Sequence, residues 1–108
     1  MLQQIAGKHE TDGNGMPAGG ITTGTGINIT WQNGPLGKGL DRKEPSGAFV
    51  EGVIAAALDR LEWYQKSKFI CRENAFAITK LQEALHWLDH RTRRREFQGI
   101  EGTNNLDL

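Results

Sequence analysis

Two guanidinium forks one helical turn apart are the groups in this chain best suited to chemistry. Arg91 and Arg95 stand at i and i+4 within the run Arg91, Arg93, Arg94 and Arg95. In a helix they share a face and can converge on phosphate oxygens, each fork offering paired donors. Arg94 falls on a neighbouring face. The same cluster also suits the negative end of a helix dipole with no ligand present, and the spacing leaves both readings open. Asn74 stands at the other end of the same periodic stretch, and Tyr64 precedes it across a short break. An aromatic ring can stack on a base and an amide can bond to its edge. A wedge closing a turn (Tyr64) and a first-turn polar contact (Asn74) are the plainer alternatives.

The remaining candidates are weaker. His86 and His90 are one turn apart, a spacing that can chelate a metal, but the HExxH pattern is missing and no third ligand is placed. They read as exposed helix histidines, and no metal is expected. His9 lies near the N-terminus. Asp89 and Glu83 sit near the histidines without a serine or cysteine placed for attack. Cys71 opens a helix but has no partner in sequence. Gly24-Thr25-Gly26 lacks the third glycine of a dinucleotide fingerprint, and residues 34–39 lack the spacing and hydroxyl of a phosphate loop. No catalytic residue and no cofactor is expected.

The element that must carry these groups is a long amphipathic helix from about Cys71 or Arg72 to Gln98-Gly99. Asn74, Ile78, Leu81, Leu85, Leu88 and Thr92 alternate by four and three, forming an a/d seam. Phe76 and Trp87 lie off the seam and widen the apolar surface. Glu73 suits the positive end, and Gly99 suits the left-handed stop. Asn74 and Arg91 are seventeen residues apart, which is ~25 Å along one helix. One small ligand can touch both only if they come from different chains, as in an antiparallel homo-oligomer.

A first helix is expected to open at Pro45-Ser46, with Ser46 as N-cap and Glu51 near the positive end. Phe49, Val50, Val53, Ile54, Ala57, Leu58 and Leu61 recur at helical spacing, and Gly52 with Ala55, Ala56 and Ala57 makes one side small. Residues 66–70 break the two helices apart. Upstream, Ile27, Ile29 and Trp31 alternate with Asn28, Thr30 and Gln32 as the faces of a strand, and Asn33-Gly34 is a tight-turn pair. Eleven of the 14 glycines precede residue 48, so a strand-and-turn half gives way to a helical half. The fold class is therefore α+β: a small N-terminal antiparallel β-sheet or hairpin, then a C-terminal helical hairpin of two long helices that oligomerises through them. The expected organisation is a flexible tail over 1–20, a β-rich region over 21–40, a helical hairpin over 45–99 and a C-terminal extension over 100–108, all in one domain.

Composition sets the outer bounds. The chain has 108 residues, 37% of them hydrophobic, with one cysteine and a formal net charge of zero. That excludes an intrachain disulfide and gives no basic field for bulk nucleic-acid or membrane binding. No apolar run approaches the ~20 residues of a membrane span, and the first residues do not read as a signal peptide. A soluble intracellular protein is expected.

The run GITTGTGINITWQNGPLG (residues 20–37) and the run from EPSGAFVEGV to RTRRREFQGIEGT (residues 44–103) closely resemble the phage Thoeris anti-defence sponge family. That family shares its helical hairpin with phage anti-CBASS sponges. The resemblance implies a non-catalytic sink that binds glycocyclic ADP-ribose, a cyclic ADP-ribose-type signal made by a TIR-domain protein, in the cytoplasm of the infected bacterial host. It implies ligand contacts at Tyr64, Asn74, Arg91 and Arg95, with cyclic di- or trinucleotides bound at a second site in some relatives. The family more often carries Phe where this chain has Tyr64; the stacking face is kept and a hydroxyl is added. A homo-oligomer, dimer or hexamer, is implied. Two other readings remain: a small nucleic-acid-binding or regulatory module using the Arg91–Arg95 cluster, and an enzyme that degrades the signal. Zero net charge with Asp89 and Glu96 nearby counts against the first, and the missing nucleophile or metal triad counts against the second.

Overall fold

The computed structural model describes residues 4–106, which fall into two compact units. One is the helical hairpin Val50–Phe97; the other gathers the residues before and after it. Strands β1 (Ala6–Thr11), β2 (Pro17–Gly24) and β3 (Ile27–Trp31) make an antiparallel sheet in the order β1-β2-β3, and helices α1 (Val50–Gln65) and α2 (Arg72–Phe97) follow in sequence. This is the α+β class that the sequence predicts.

The sheet starts earlier than composition suggests. β1 and the first residues of β2 lie within 1–20, the stretch expected to be a flexible tail; residues 1–3 of that stretch lie outside the described residues. A backbone ladder needs no apolar side chains, and here Asp12 pins the turn that starts it. Its carboxylate Oδ1 accepts from the amides of Asn14 at 2.8 Å and Met16 at 3.0 Å. The register shifts between His9 and Thr11, where Ala18 and Gly19 of β2 face the single residue Glu10 of β1, so the bulge lies on the central strand.

The alternating run 21–32 is also not one strand. Gly24 pairs with Ile27, and Thr25-Gly26 makes a two-residue reversal with Gly26 at φ 71°. The predicted faces survive this break. Ile27, Ile29 and Trp31 lie opposite Gly24, Thr22 and Gly20, and the Trp31 indole Nε1 donates to Thr22 Oγ1 at 2.7 Å, a diagonal cross-strand tie.

Asn33-Gly34 turns the chain, with Gly34 at φ 75°, but no sheet strand follows it. Residues 46–48 come back instead as a short parallel addition to β3. The Ala48 amide donates to the Thr30 carbonyl at 2.8 Å, and the Gln32 amide donates to the Ala48 carbonyl at 2.9 Å. This corrects the reading of Ser46 as a helix cap. Its Oγ accepts from the Asn33 amide at 3.1 Å, and its own amide donates to Gln32 Oε1 at 2.7 Å. Ser46 is committed to the sheet edge, and a helix can begin only beyond that extended segment, at Val50. A Cβ on Gly47 would lie 2.5 Å from the Trp31 carbonyl group. Gly47→Ala should therefore lower unfolding stability by about 1–3 kcal/mol, read as a fall in denaturant midpoint at unchanged slope.

The helical hairpin follows its periodicity closely. α2 is half-buried at Asn74, Ile78, Leu81, Leu85, Leu88 and Thr92, the predicted seam, and the series continues to Arg95. α1 packs on α2 and is half-buried at Val53, Ile54, Leu58, Leu61, Tyr64 and Gln65, whereas Gly52, Ala55, Ala56 and Ala57 are exposed. Gly99, at φ 75°, takes the left-handed position that stops α2. Neither helix buries a hydrophobic side chain fully. Among the described residues no helix is long and apolar enough to cross a membrane.

Candidate functional site

The turn between the helices is built by side chains. Gln65 closes it from both sides: its Oε1 accepts from the Cys71 amide at 3.1 Å, and its Nε2 donates to the Cys71 carbonyl at 3.1 Å. Ser67 Oγ donates to the Tyr64 carbonyl at 2.6 Å and accepts from the Phe69 amide at 3.0 Å. Asn74 is tied to the same turn, its Nδ2 donating to the Phe69 carbonyl at 3.1 Å. The Tyr64 ring meets the Phe69 ring edge-on, with centroids 5.9 Å apart. Tyr64 and Asn74 thus both contact Phe69, and the hairpin gathers them at one end. Gln65→Ala removes two turn hydrogen bonds, and the expected cost is about 1–3 kcal/mol of stability. Faster hydrogen exchange at the Cys71 amide is the measurement that reports it.

Tyr64 carries a cationic neighbour that the sequence reading overlooked. The Arg60 guanidinium lies 5.0 Å from the Tyr64 ring centroid and 4.6 Å from that of Trp63. This arrangement holds a positive charge against two aromatic faces. Its signal was legible, because Arg60 and Tyr64 are i and i+4 on α1. Gln65 and Ser67 gave no comparable sign, since their role exists only once the turn is closed.

The arginines occupy the opposite end of α2 and are not alike. Arg95 falls on the half-buried stripe three residues beyond Thr92 and is itself buried, at 9% exposure, whereas Arg91 is exposed. Arg93 is exposed and paired with Asp89, Nε to Oδ2 at 2.9 Å. Because α2 is continuous from Arg72 to Phe97, Asn74 and Arg91 stay ~25 Å apart within one chain. The structure gathers Tyr64 with Asn74 at the turn and places Arg91 and Arg95 at the far end of the helix. It does not bring the two groups together in one protomer. His86 and His90 are exposed, the latter edge-on to the Trp87 ring at 6.0 Å. Cys71 is exposed, and among the described residues no group of three or more His, Cys, Asp and Glu side chains is placed to hold a metal.

A large apolar surface surrounds these groups. Trp63, Phe69, Ile70 and Phe76 cluster in sequence about the turn and are all exposed, and Trp87, at 67% exposure, stands three turns further along α2. Covering such a side chain is worth roughly 1.5–3 kcal/mol. Five of them supply a gross gain comparable with the roughly 4–15 kcal/mol that association costs.

A two-helix hairpin with an aromatic and an amide at its turn and arginines at its far end, joined in sequence to a small antiparallel sheet, defines a class of hairpin-domain proteins. The family described as "Acb2/Tad1, hairpin domain" matches residues 24–93, a stretch that includes Tyr64, Asn74 and Arg91 and stops short of Arg95. The chain is similar to Thoeris anti-defense 1 of Bacillus phage SBSphiJ7, with 54% identity over 76 residues, 70% of this chain and 51% of that protein. It therefore spans about half the length of that relative. The chain belongs to the Acb2/Tad1 hairpin family, as the resemblance read from its residues predicts.

Proposed function

We propose that this chain is a phage anti-defence protein that binds and sequesters, without cleaving, a cyclic ADP-ribose-type immune signal. Glycocyclic ADP-ribose made by the TIR protein of a Thoeris system is the ligand proposed, and its removal in the cytoplasm of the infected host would leave the effector inactive. The observation that carries this reading is the 54% identity to a protein named Thoeris anti-defense 1. The hairpin supplies suitable chemistry. Tyr64 offers a stacking face, Asn74 an amide, and Arg91 and Arg95 two forks for a pyrophosphate. The distance along α2 calls for two chains per site, Tyr64 and Asn74 from one and the arginines from another. The exposed aromatic side chains support such a homo-oligomer, dimer or hexamer. The resemblance also implies a second site for cyclic trinucleotides, which titration with a cyclic trinucleotide tests.

A phosphate-tracking nucleic-acid surface fits less well. Arg93 is neutralised by Asp89 and Arg95 is buried, whereas backbone tracking needs several accessible cations. The test is to incubate the protein with glycocyclic ADP-ribose, remove unbound compound, heat the complex and analyse what is released. Intact compound supports sequestration. A degraded product means an enzyme, and no retained compound at all overturns the proposal.

A further inference from the structure

The guanidinium of Arg60 lies over the ring that the proposed ligand has to reach. On α1 its neighbours one turn away are Ala56, Ala57, Trp63 and Tyr64, none of them a carboxylate. Arg93, by contrast, has Asp89 one turn away and pairs with it. Arg60 turns to rings instead, its Cζ 4.6 Å from the Trp63 centroid and 5.0 Å from the Tyr64 centroid. The two rings are tilted by 54° with centroids 5.6 Å apart, so the cation sits in the notch between them. Both distances fall within the ~6 Å reach of a cation–π contact.

The place of these side chains on α1 decides what this means for a ligand. Tyr64 is half-buried on the stripe of the helix that packs on α2, whereas Arg60 is exposed. An exposed guanidinium over a half-buried ring covers the side from which a solute arrives. A base approaching Tyr64 therefore meets Arg60 first. Pushing the guanidinium aside would break a cation–π contact for every ligand bound. Stacking on it breaks none, because the guanidinium is planar and delocalised and accepts a base on its face as an aromatic ring does. It also brings positive charge to this end of the hairpin. Neither a phenol nor an amide is a cation, so Tyr64 and Asn74 do not supply the charge that an anionic ligand calls for.

We infer that Arg60 is a further ligand contact of the sequestration site: its guanidinium is the plane on which the base stacks, with Tyr64 beneath it as support. This inference rests on the sequestration reading above. It assigns the contact to the chain that supplies Tyr64 and Asn74, so that both chains of a site contribute arginine.

The experiment is a calorimetric titration of the full chain with glycocyclic ADP-ribose at low and high salt, for wild type, Arg60→Ala, Arg60→Met and Arg60→Lys. Arg60 is exposed, so helicity should match wild type in all three variants. Arg60→Ala should weaken binding by about tenfold. Arg60→Met still covers the rings but has neither charge nor plane, and it should weaken binding as much. Arg60→Lys keeps the charge without the plane and should fall between. Salt screens the attraction for an anion, and its effect should be smaller in the Ala and Met variants than in wild type and Arg60→Lys. A Met variant that binds like wild type overturns the inference, because Arg60 would then only cover the rings. An Ala variant that binds as tightly as wild type, or more tightly, overturns it too, because the base would then bypass or displace the guanidinium. Equal salt dependence in all four proteins removes the charge of Arg60 from the ligand and has the same effect. Wild-type protein that retains no compound overturns the sequestration reading and this inference with it, whereas retention by wild type with unchanged variants overturns the role of Arg60 alone.

Discussion

Arg95→Ala should cost roughly 2–5 kcal/mol of affinity for glycocyclic ADP-ribose, the range for truncating one partner of a buried charged pair. That is a loss of about 30-fold to several thousand-fold. The expectation follows from burial. Arg95 is the buried arginine of the cluster and lies on the half-buried stripe of α2, where a guanidinium is less screened by water and salt than at an exposed position. Arg95→Lys keeps the charge but loses the fork and should fall between wild type and alanine. Arg91→Ala should also abolish useful retention, although an exposed arginine gains its full strength only once the ligand covers it. Titration calorimetry measures all three, with helicity and sedimentation as controls for fold and assembly. Unchanged affinity in both alanine variants would mean that the signal is held elsewhere.

Two inactive variants should restore each other. If Asn74 of one chain and Arg91 of another share a ligand, Asn74→Ala and Arg91→Ala each disable every site in their own homo-oligomer. In a mixed antiparallel pair one site combines both wild-type residues and the other combines both substitutions. Co-folding equal amounts of the two variants should therefore regain about a quarter of the wild-type sites by random pairing of subunits. Stoichiometry by titration reports this directly. Mixtures that remain as inactive as their components would show that each site is built within one chain. This prediction depends on the continuity of α2, because no bend or break shortens the distance between Asn74 and Arg91.

The helical half was legible because one physical rule dominates it. An alternating four-and-three repeat has to place Ile78, Leu81, Leu85 and Leu88 on one stripe, and the half-buried residues fall there. Arg95 falls on the same stripe, although its chemistry drew attention first. The sheet was less legible because its strands rest on backbone pairing. Glycine-rich residues 6–20 have few apolar side chains to announce them, yet Asp12 anchors a turn and the ladder follows. Ser46 misled for a related reason. A serine before an apolar periodic run is a good helix cap, but the competing partner was the end of β3, fourteen residues away in sequence. Of the candidate site, Tyr64, Asn74, Arg91 and Arg95 could be raised as candidates from residue type and spacing, and the family resemblance joined them into one set. The groups that close the turn beside Tyr64 and Asn74, Gln65 and Ser67, could not, since each acts across a closure that local sequence does not encode.

The outer strand, opposite the bulge in β2, bears on how much of this protein a cell can hold. On the sequestration proposed above, the protein would act mole for mole and would have to accumulate to the level of its ligand, and concentration is what turns an open strand edge into a seed for aggregation. Among the described residues β1 pairs only with β2, leaving its outer row of amides and carbonyls unpaired. Two features bear on that row: the bulge in β2 opposite Glu10, which increases the local twist, and the opposite charges of Lys8 and Glu10 beside it. An incoming strand meets a twisted edge and a charge pattern that only a few registers satisfy. The sheet can therefore end at three strands at concentrations where a flat, uncharged edge would recruit further copies.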